Sequence, residues 1–141
     1  MPRELVLILD FGSQYTQLIA RRVRELGVFS EIVPGTTPAA VIAARKPDAL
    51  ILSGSPASGY RDAAPLPDPA IYAPRRPVLG ICYGLQATMR LAGGELKRAA
   101  RAEYGMATFV LDRRSALFAD VPKRFRAWMS HGDEVAALPA G

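Results

Sequence analysis

Leu5-Val6-Leu7-Ile8-Leu9 is an unbroken aliphatic run, and a few residues later the spacing changes, with apolar side chains at 15, 18, 19, 23 and 26. A stretch that is apolar at every position reads as a strand covered on both faces, as in a parallel sheet, whereas the second spacing is the stripe of an amphipathic helix. Ser13 is placed to cap that helix and Gly27 to stop it. The alternation then repeats. Ser30 to Val33 reads as a second strand, and Thr37-Pro38, a cap followed by a first-turn proline, opens a helix running to about Arg45. Ala49-Leu50-Ile51-Leu52 is a third strand and Val78-Leu79-Gly80-Ile81 a fourth, with a helix starting near Gly84. Between them lies a long loop, about residues 54–69, rich in Gly, Pro, Ser and Asp. This order predicts an α/β fold: an open, mostly parallel sheet with right-handed crossovers and helices on both faces. Beyond Gly93-Gly94, Thr108 to Leu111 and Phe125 to Met129 read as strands without a crossover helix, so hairpins or a sheet extension are expected there.

The chain has 141 residues, half of them apolar and 22% charged, which is the composition of one globular domain. At that length it buries enough surface to need no disulfide or metal staple. Its single cysteine, Cys82, has no partner for an internal disulfide, and no Cys/His ligand cluster stands near it, which points to a reducing, cytoplasmic setting and to no metal. Five apolar residues near the N-terminus are too few for a signal core or a membrane span. The net charge of +5 is spread along the chain, 10 basic and 7 acidic groups in residues 1–94 against 8 and 6 in 95–141. Arg21-Arg22 and Arg113-Arg114 are pairs without interleaved aromatics, so nucleic-acid binding is not expected.

Ligands on open α/β sheets sit at the carboxyl ends of the strands. There the chain carries Asp10-Phe11-Gly12-Ser13, Ser53-Gly54-Ser55-Pro56 and Gly80-Ile81-Cys82-Tyr83-Gly84-Leu85-Gln86. The last has a cysteine where a nucleophile elbow has its serine. A residue on so sharp a strand-to-helix turn is strained, and glycines two before and two after remove side chains that would collide there. At the amino end of a helix the peptide dipoles favour thiolate over thiol. The other reading of Cys82 is a buried structural cysteine. For an acyl transfer, the N–H of Tyr83 is the first oxyanion donor and Ser55 supplies a second; the alternative for residues 53–56 is a plain turn.

Three segments together, the elbow at 80–86, Leu9-Asp10-Phe11-Gly12-Ser13-Gln14-Tyr15 and Trp128-Met129-Ser130-His131-Gly132-Asp133, resemble the class I glutamine amidotransferase domain of the GMP synthetases. The match covers nearly the whole chain. It implies a flavodoxin-like scaffold on which Cys82 attacks the side-chain amide of glutamine to form a thioester. It also implies that Ser55 and Tyr83 supply the oxyanion N–H groups beside Gly54, and that Gln86 with the backbone around Ser130 and His131 holds the amino-acid end of the substrate. The ammonia would pass to a separate ATP-pyrophosphatase synthetase domain, which aminates XMP with ATP and Mg; the amidotransferase domain itself takes no cofactor.

Two departures from the family pattern stand out. Ser55 replaces the second glycine of a usual Gly-Gly-Pro, which distorts the oxyanion hole if that position needs a glycine conformation. The base histidine and its orienting glutamate come, in the family, after the Ser-His-Gly-Asp segment, and here the only histidine is His131. The 141 residues are thus expected to be part of an amidotransferase domain, without the synthetase domain, with negligible turnover alone and with surface prone to self-association. The competing readings are another cysteine hydrolase on the same scaffold, and a binding module whose Asp10–Ser13 turn accepts a phosphate.

Overall fold

A computed structural model of the chain describes residues 3–56 and 64–140, with the backbone alone at Ala102, Glu103 and His131. Strands β1 (Leu5–Asp10), β2 (Phe29–Pro34), β3 (Ala49–Leu52) and β4 (Val78–Gly80) form a parallel sheet in the order β2-β1-β3-β4. Helix α1 (Thr16–Glu25) joins β1 to β2, α2 (Ala39–Ala44) joins β2 to β3, and α3 (Tyr83–Leu91) follows β4. The chain steps one way from β1 to β2 and the other way to β3, so right-handed crossovers set α1 and α2 on opposite faces.

The aliphatic run of β1 follows from this double cover. Leu7 and Leu9 share one face with Val33, Leu50 and Leu52, and pack with Ile42 of α2 and Ala87 of α3. Ile8 points to the other face and is also fully buried. Each such side chain contributes about 1.5–3 kcal/mol by leaving water. On the Ile8 face Ser30 donates its hydroxyl to the carbonyl of Ala20 at 3.0 Å, tying α1 to β2.

Two expected caps are replaced by others. Ser13 does not cap α1: its hydroxyl accepts the N–H of Tyr15 at 3.0 Å, one turn ahead of the helix. The chain needs that extra turn because Gly12, at φ +93°, folds back onto Asp10, whose Oδ1 accepts both the Gly12 N–H (2.8 Å) and the Thr16 hydroxyl (2.9 Å). Thr37 does not cap α2 either, because its hydroxyl donates to the carbonyl of Pro34 at 2.6 Å and Pro38 takes the cap position. The first helical N–H, of Ala39, goes to Asp68 Oδ2 at 2.8 Å. Asp68 Oδ1 accepts the N–H of Ala70, so one carboxylate caps α2 and the 3-10 turn Pro69–Tyr72 together. Part of the long loop lies outside the described residues.

The C-terminal third is a hairpin rather than a sheet extension. Strands β5 (Glu95–Val110) and β6 (Arg124–Ala137) pair antiparallel in a ribbon separate from the parallel sheet, much longer than the two expected runs. Phe109 and Phe125 face each other across it with stacked rings 5.0 Å apart. The ribbon leans on α3, which brings residues of β6 over the ends of the parallel strands.

Candidate active site

The carboxyl ends of β1, β3 and β4 open into a cleft of about 1160 Å³, closed on its far side by β6. Its floor is fixed by Ser53, fully buried at the end of β3. The Ser53 hydroxyl accepts the N–H of Phe11 at 3.0 Å and donates to the carbonyl of Gly54 at 3.0 Å, so it locks the turn after β1 to the turn after β3.

Cys82 stands on the turn from β4 into α3 with φ +53° and ψ −112°, a left-handed conformation rare for a residue with a Cβ. The glycines around it are required by contact. A Cβ on Gly80 would lie 2.5 Å from the backbone nitrogen of Leu85, and one on Gly84 would lie 2.7 Å from the carbonyl carbon of Leu52. Neither backbone can yield. The result is an exposed thiol facing the cleft, not a buried structural cysteine.

The resting state of that thiol differs from the expected thiolate. Loss of water among the cleft walls pushes its pKa above the ordinary 9.0, and the negative charge of Asp133 pushes the same way. The Tyr83 N–H pulls it down, as a helix start should, but is outweighed. Across the cleft the sulfur donates to the carbonyl of Ser130 at 3.6 Å.

The other expected residues divide into those at the sulfur and those beside it. Gly54 is buried against Cys82, with a hypothetical Cβ 3.6 Å from the Cys82 Cβ, and Ser55 lines the cleft next to it. Among the described residues, Lys46 and Cys82 are the non-glycine residues with positive φ, so Ser55 takes an ordinary conformation and its replacement of glycine imposes no backbone strain. Tyr83 turns its N–H to the sulfur while its ring is buried, packed on Phe11 at 5.4 Å and bonded through its hydroxyl to the carbonyl of Pro65. Gln86 is buried in the cleft wall, where its Nε2 donates to the carbonyl of Asp133 at 3.3 Å and ties α3 to β6. Ser130 lines the cleft. His131 lies in β6 opposite Glu103, and its side chain is outside the described residues.

Sequence reading passed over three residues. Ser53 was legible only as part of a turn, because its partner Phe11 is 42 residues away. Asp133 sits inside the Ser-His-Gly-Asp segment, but nothing local says that its carboxylate acts on Cys82. Trp128, 67% exposed at the cleft wall, belongs to the same segment. The phosphate-turn reading fails on geometry: the Gly12 N–H it would offer an anion already holds the Asp10 carboxylate. No group of three or more His, Cys, Asp or Glu suited to a metal occurs among the described residues, and no helix among them is long and apolar enough to cross a membrane.

Comparison with known proteins places this geometry among relatives. Residues 7–141 match the family model for glutamine amidotransferase class-I. The GMP synthase [glutamine-hydrolyzing] of Aquifex aeolicus is 50% identical over 141 residues, all of this chain and 28% of the relative. That of Thermobifida fusca is 49% identical over 138 residues, 98% of this chain and 26% of the relative. The chain therefore spans about a quarter of the length of these curated relatives. Among solved structures, a Thermoplasma acidophilum protein assigned as a GMP synthase subunit superposes with a TM-score of 0.81 at 26% identity, covering 99% of this chain and 70% of that one. A glutamine amidotransferase from Thermotoga maritima shares the fold, with a TM-score of 0.74 at 18% identity over 98% of this chain and 64% of that one.

Proposed function

The chain belongs to the class-I glutamine amidotransferase family, homologous to the amidotransferase part of GMP synthase, and from that premise we propose that its cleft hydrolyses the side-chain amide of glutamine. In this reading the turn at Cys82 is a nucleophile elbow. The Cys82 sulfur attacks the carboxamide carbon, and the developing oxyanion is met by the backbone N–H groups of Tyr83 and Ser55. Carbon–nitrogen cleavage then releases ammonia and leaves a glutamyl thioester, and water cleaves the thioester to glutamate and free thiol. Gln86 and the backbone at Ser130 and His131 hold the amino-acid end of the substrate. Because the resting sulfur is a thiol, the attack needs a proton acceptor. His131, the single histidine of the sequence, is assigned to substrate holding, and the resemblance to the family implies that the acceptor is a histidine following the Ser-His-Gly-Asp segment.

The wider role we propose is supply of ammonia for the ATP-dependent amination of XMP to GMP. It is carried out with a GMP synthetase ATP-pyrophosphatase domain that binds ATP and Mg, in the cytoplasm. What supports the glutamine step is one observation: an exposed cysteine held at φ +53° in the cleft, between the turn after β3 and the carbonyl of Ser130. Treatment with a diazo-ketone analogue of glutamine tests it. Stoichiometric alkylation of Cys82, slowed by added glutamine, is expected. Alkylation that glutamine does not slow supports a different cysteine hydrolase, and inertness even in alkali, where the thiol ionises without a base, overturns the enzymatic reading.

A further inference from the structure

The hydroxyl of Ser53, fully buried at the end of β3, is held from two sides. Its oxygen accepts the Phe11 N–H at 3.0 Å, and the Ser53 N–H donates to the carbonyl of Leu9 at 3.0 Å, so side chain and backbone are both fastened to the end of β1. The hydroxyl proton goes to the carbonyl of the next residue, Gly54, at 3.0 Å. That carbonyl is one end of the Gly54–Ser55 peptide, which is planar and trans, so its C=O and N–H point in opposite directions. Fixing the first aims the second. In the sheet, β3 lies between β1 and β4, and its other side is joined to the elbow: the Ile81 N–H donates to the carbonyl of Leu52 at 3.0 Å. A carbonyl drawn to the β1 side therefore turns the Ser55 N–H to the β4 side, where Cys82 stands. The approach there is close, since a Cβ on Gly54 would lie 3.6 Å from that of Cys82.

We infer that Ser53 is a positioning residue for acyl transfer at Cys82: its hydroxyl holds the Gly54 carbonyl on the β1 side and so aims the Ser55 N–H at the oxygen of the group under attack. This rests on the reading of the cleft given above, and adds to it the part that sets the second oxyanion donor. Ser53 itself touches no substrate. Its effect is directional. A hydrogen bond weakens steeply as it loses alignment, so a Ser55 N–H on a peptide free to rotate stabilises little charge. One held in place needs no reorganisation when negative charge reaches the oxygen.

Two reagents that meet the same sulfur separate this role from a merely structural one, without need of turnover. p-Nitrophenyl acetate acylates the thiolate: the sulfur–carbon bond forms, p-nitrophenolate leaves, and the carbonyl oxygen carries negative charge in between. Iodoacetamide alkylates the thiolate with loss of iodide, and no oxygen on the reacting carbon gains charge. Both are followed as loss of free thiol, which in the 141-residue chain is Cys82 alone. The ratio of acylation to alkylation rate constants at one fixed pH cancels the thiolate fraction and reports the oxyanion donors. It is expected to exceed the ratio for free N-acetylcysteine by about tenfold, and Ser53→Ala should lower it by about fivefold. Ser53→Thr, which keeps the hydroxyl, should hold the wild-type ratio. Ser30→Ala removes another buried hydroxyl, bonded to the Ala20 carbonyl at 3.0 Å away from the cleft, and should leave the ratio unchanged whatever it costs in stability. A wild-type ratio equal to that of the free thiol overturns the inference without need of any variant. So does an unchanged ratio in folded Ser53→Ala, an equal fall in folded Ser53→Thr, or an equal fall in Ser30→Ala. None of these outcomes depends on whether glutamine slows the diazo-ketone reaction, so failure of the Ser53 assignment and failure of the glutamine reading are told apart.

Discussion

Replacing Cys82 by glycine is expected to make the fold more stable, and replacing it by alanine is not. The reason lies in φ +53° and ψ −112° at that residue. For an L-residue this pair is sterically disfavoured, but its mirror image is ordinary extended backbone, which glycine reaches from either hand. Holding a Cβ there costs about 1–3 kcal/mol, and alanine keeps the Cβ. Glycine removes the strain while adding about 0.5–1 kcal/mol of freedom to the unfolded chain. What either variant loses in contacts is small, since Cys82 is exposed and its bond to Ser130 is a 3.6 Å sulfur contact. The net gain for Cys82→Gly over Cys82→Ala is therefore about 0.5–2 kcal/mol, or roughly 2–6 °C in melting temperature for a domain of this size. Thermal denaturation followed by circular dichroism on both variants measures it. Cys82 is the N-cap of α3, a position that already favours glycine over alanine, so strain relief adds to an ordinary preference, and a Cys82→Gly protein melting at or below Cys82→Ala refutes the claim that the turn stores strain.

Three further outcomes follow from the same geometry. Ser53→Ala leaves the N–H of Phe11 without its acceptor in a buried position, and should cost about 1–3 kcal/mol in urea unfolding. Alkylation of Cys82 by iodoacetamide should keep accelerating beyond pH 9.0, because burial and Asp133 hold the thiol protonated; a stopped-flow profile that levels off below that value contradicts the electrostatics. Asp68, capped onto the N–H groups of Ala39 and Ala70, has a carboxyl pKa lowered from 3.8. Its contribution is thus present above pH 3.8 and disappears as pH falls through the lower folded value, so the stability gap between wild type and Asp68→Ala should be open at neutral pH and close in acid.

The parallel sheet was legible because its signals are local: unbroken aliphatic runs, a 3.6-residue stripe, and turn residues between them. The cysteine turn was legible for the same reason, since the pattern of Gly80, Cys82 and Gly84 carries its own steric demand. What escaped is long-range. Asp68 caps a helix 29 residues upstream, and no propensity at Thr37 could announce that the cap would come from elsewhere. The ribbon was read too short because its strands are exposed on many positions and lack a clean two-residue alternation, Tyr104 and Trp128 lying largely in solvent. The thiol's protonation was misjudged because the helix start is visible in sequence, whereas the dehydration and the charge that outweigh it arise only when β6 folds over α3.

The ribbon has one more implication. It carries Ser130 and Asp133 to the sulfur, yet it shares no ladder with the sheet on which Cys82 is mounted. From Ser130 to Arg124, where the hairpin ends, β6 extends for about 20 Å as a paired arm, and the register breaks between His131 and Asp133. Cys82 and the wall opposite it thus belong to separate sheets, and the gap between them is held through α3, by its packing against the ribbon and by the Gln86–Asp133 bond.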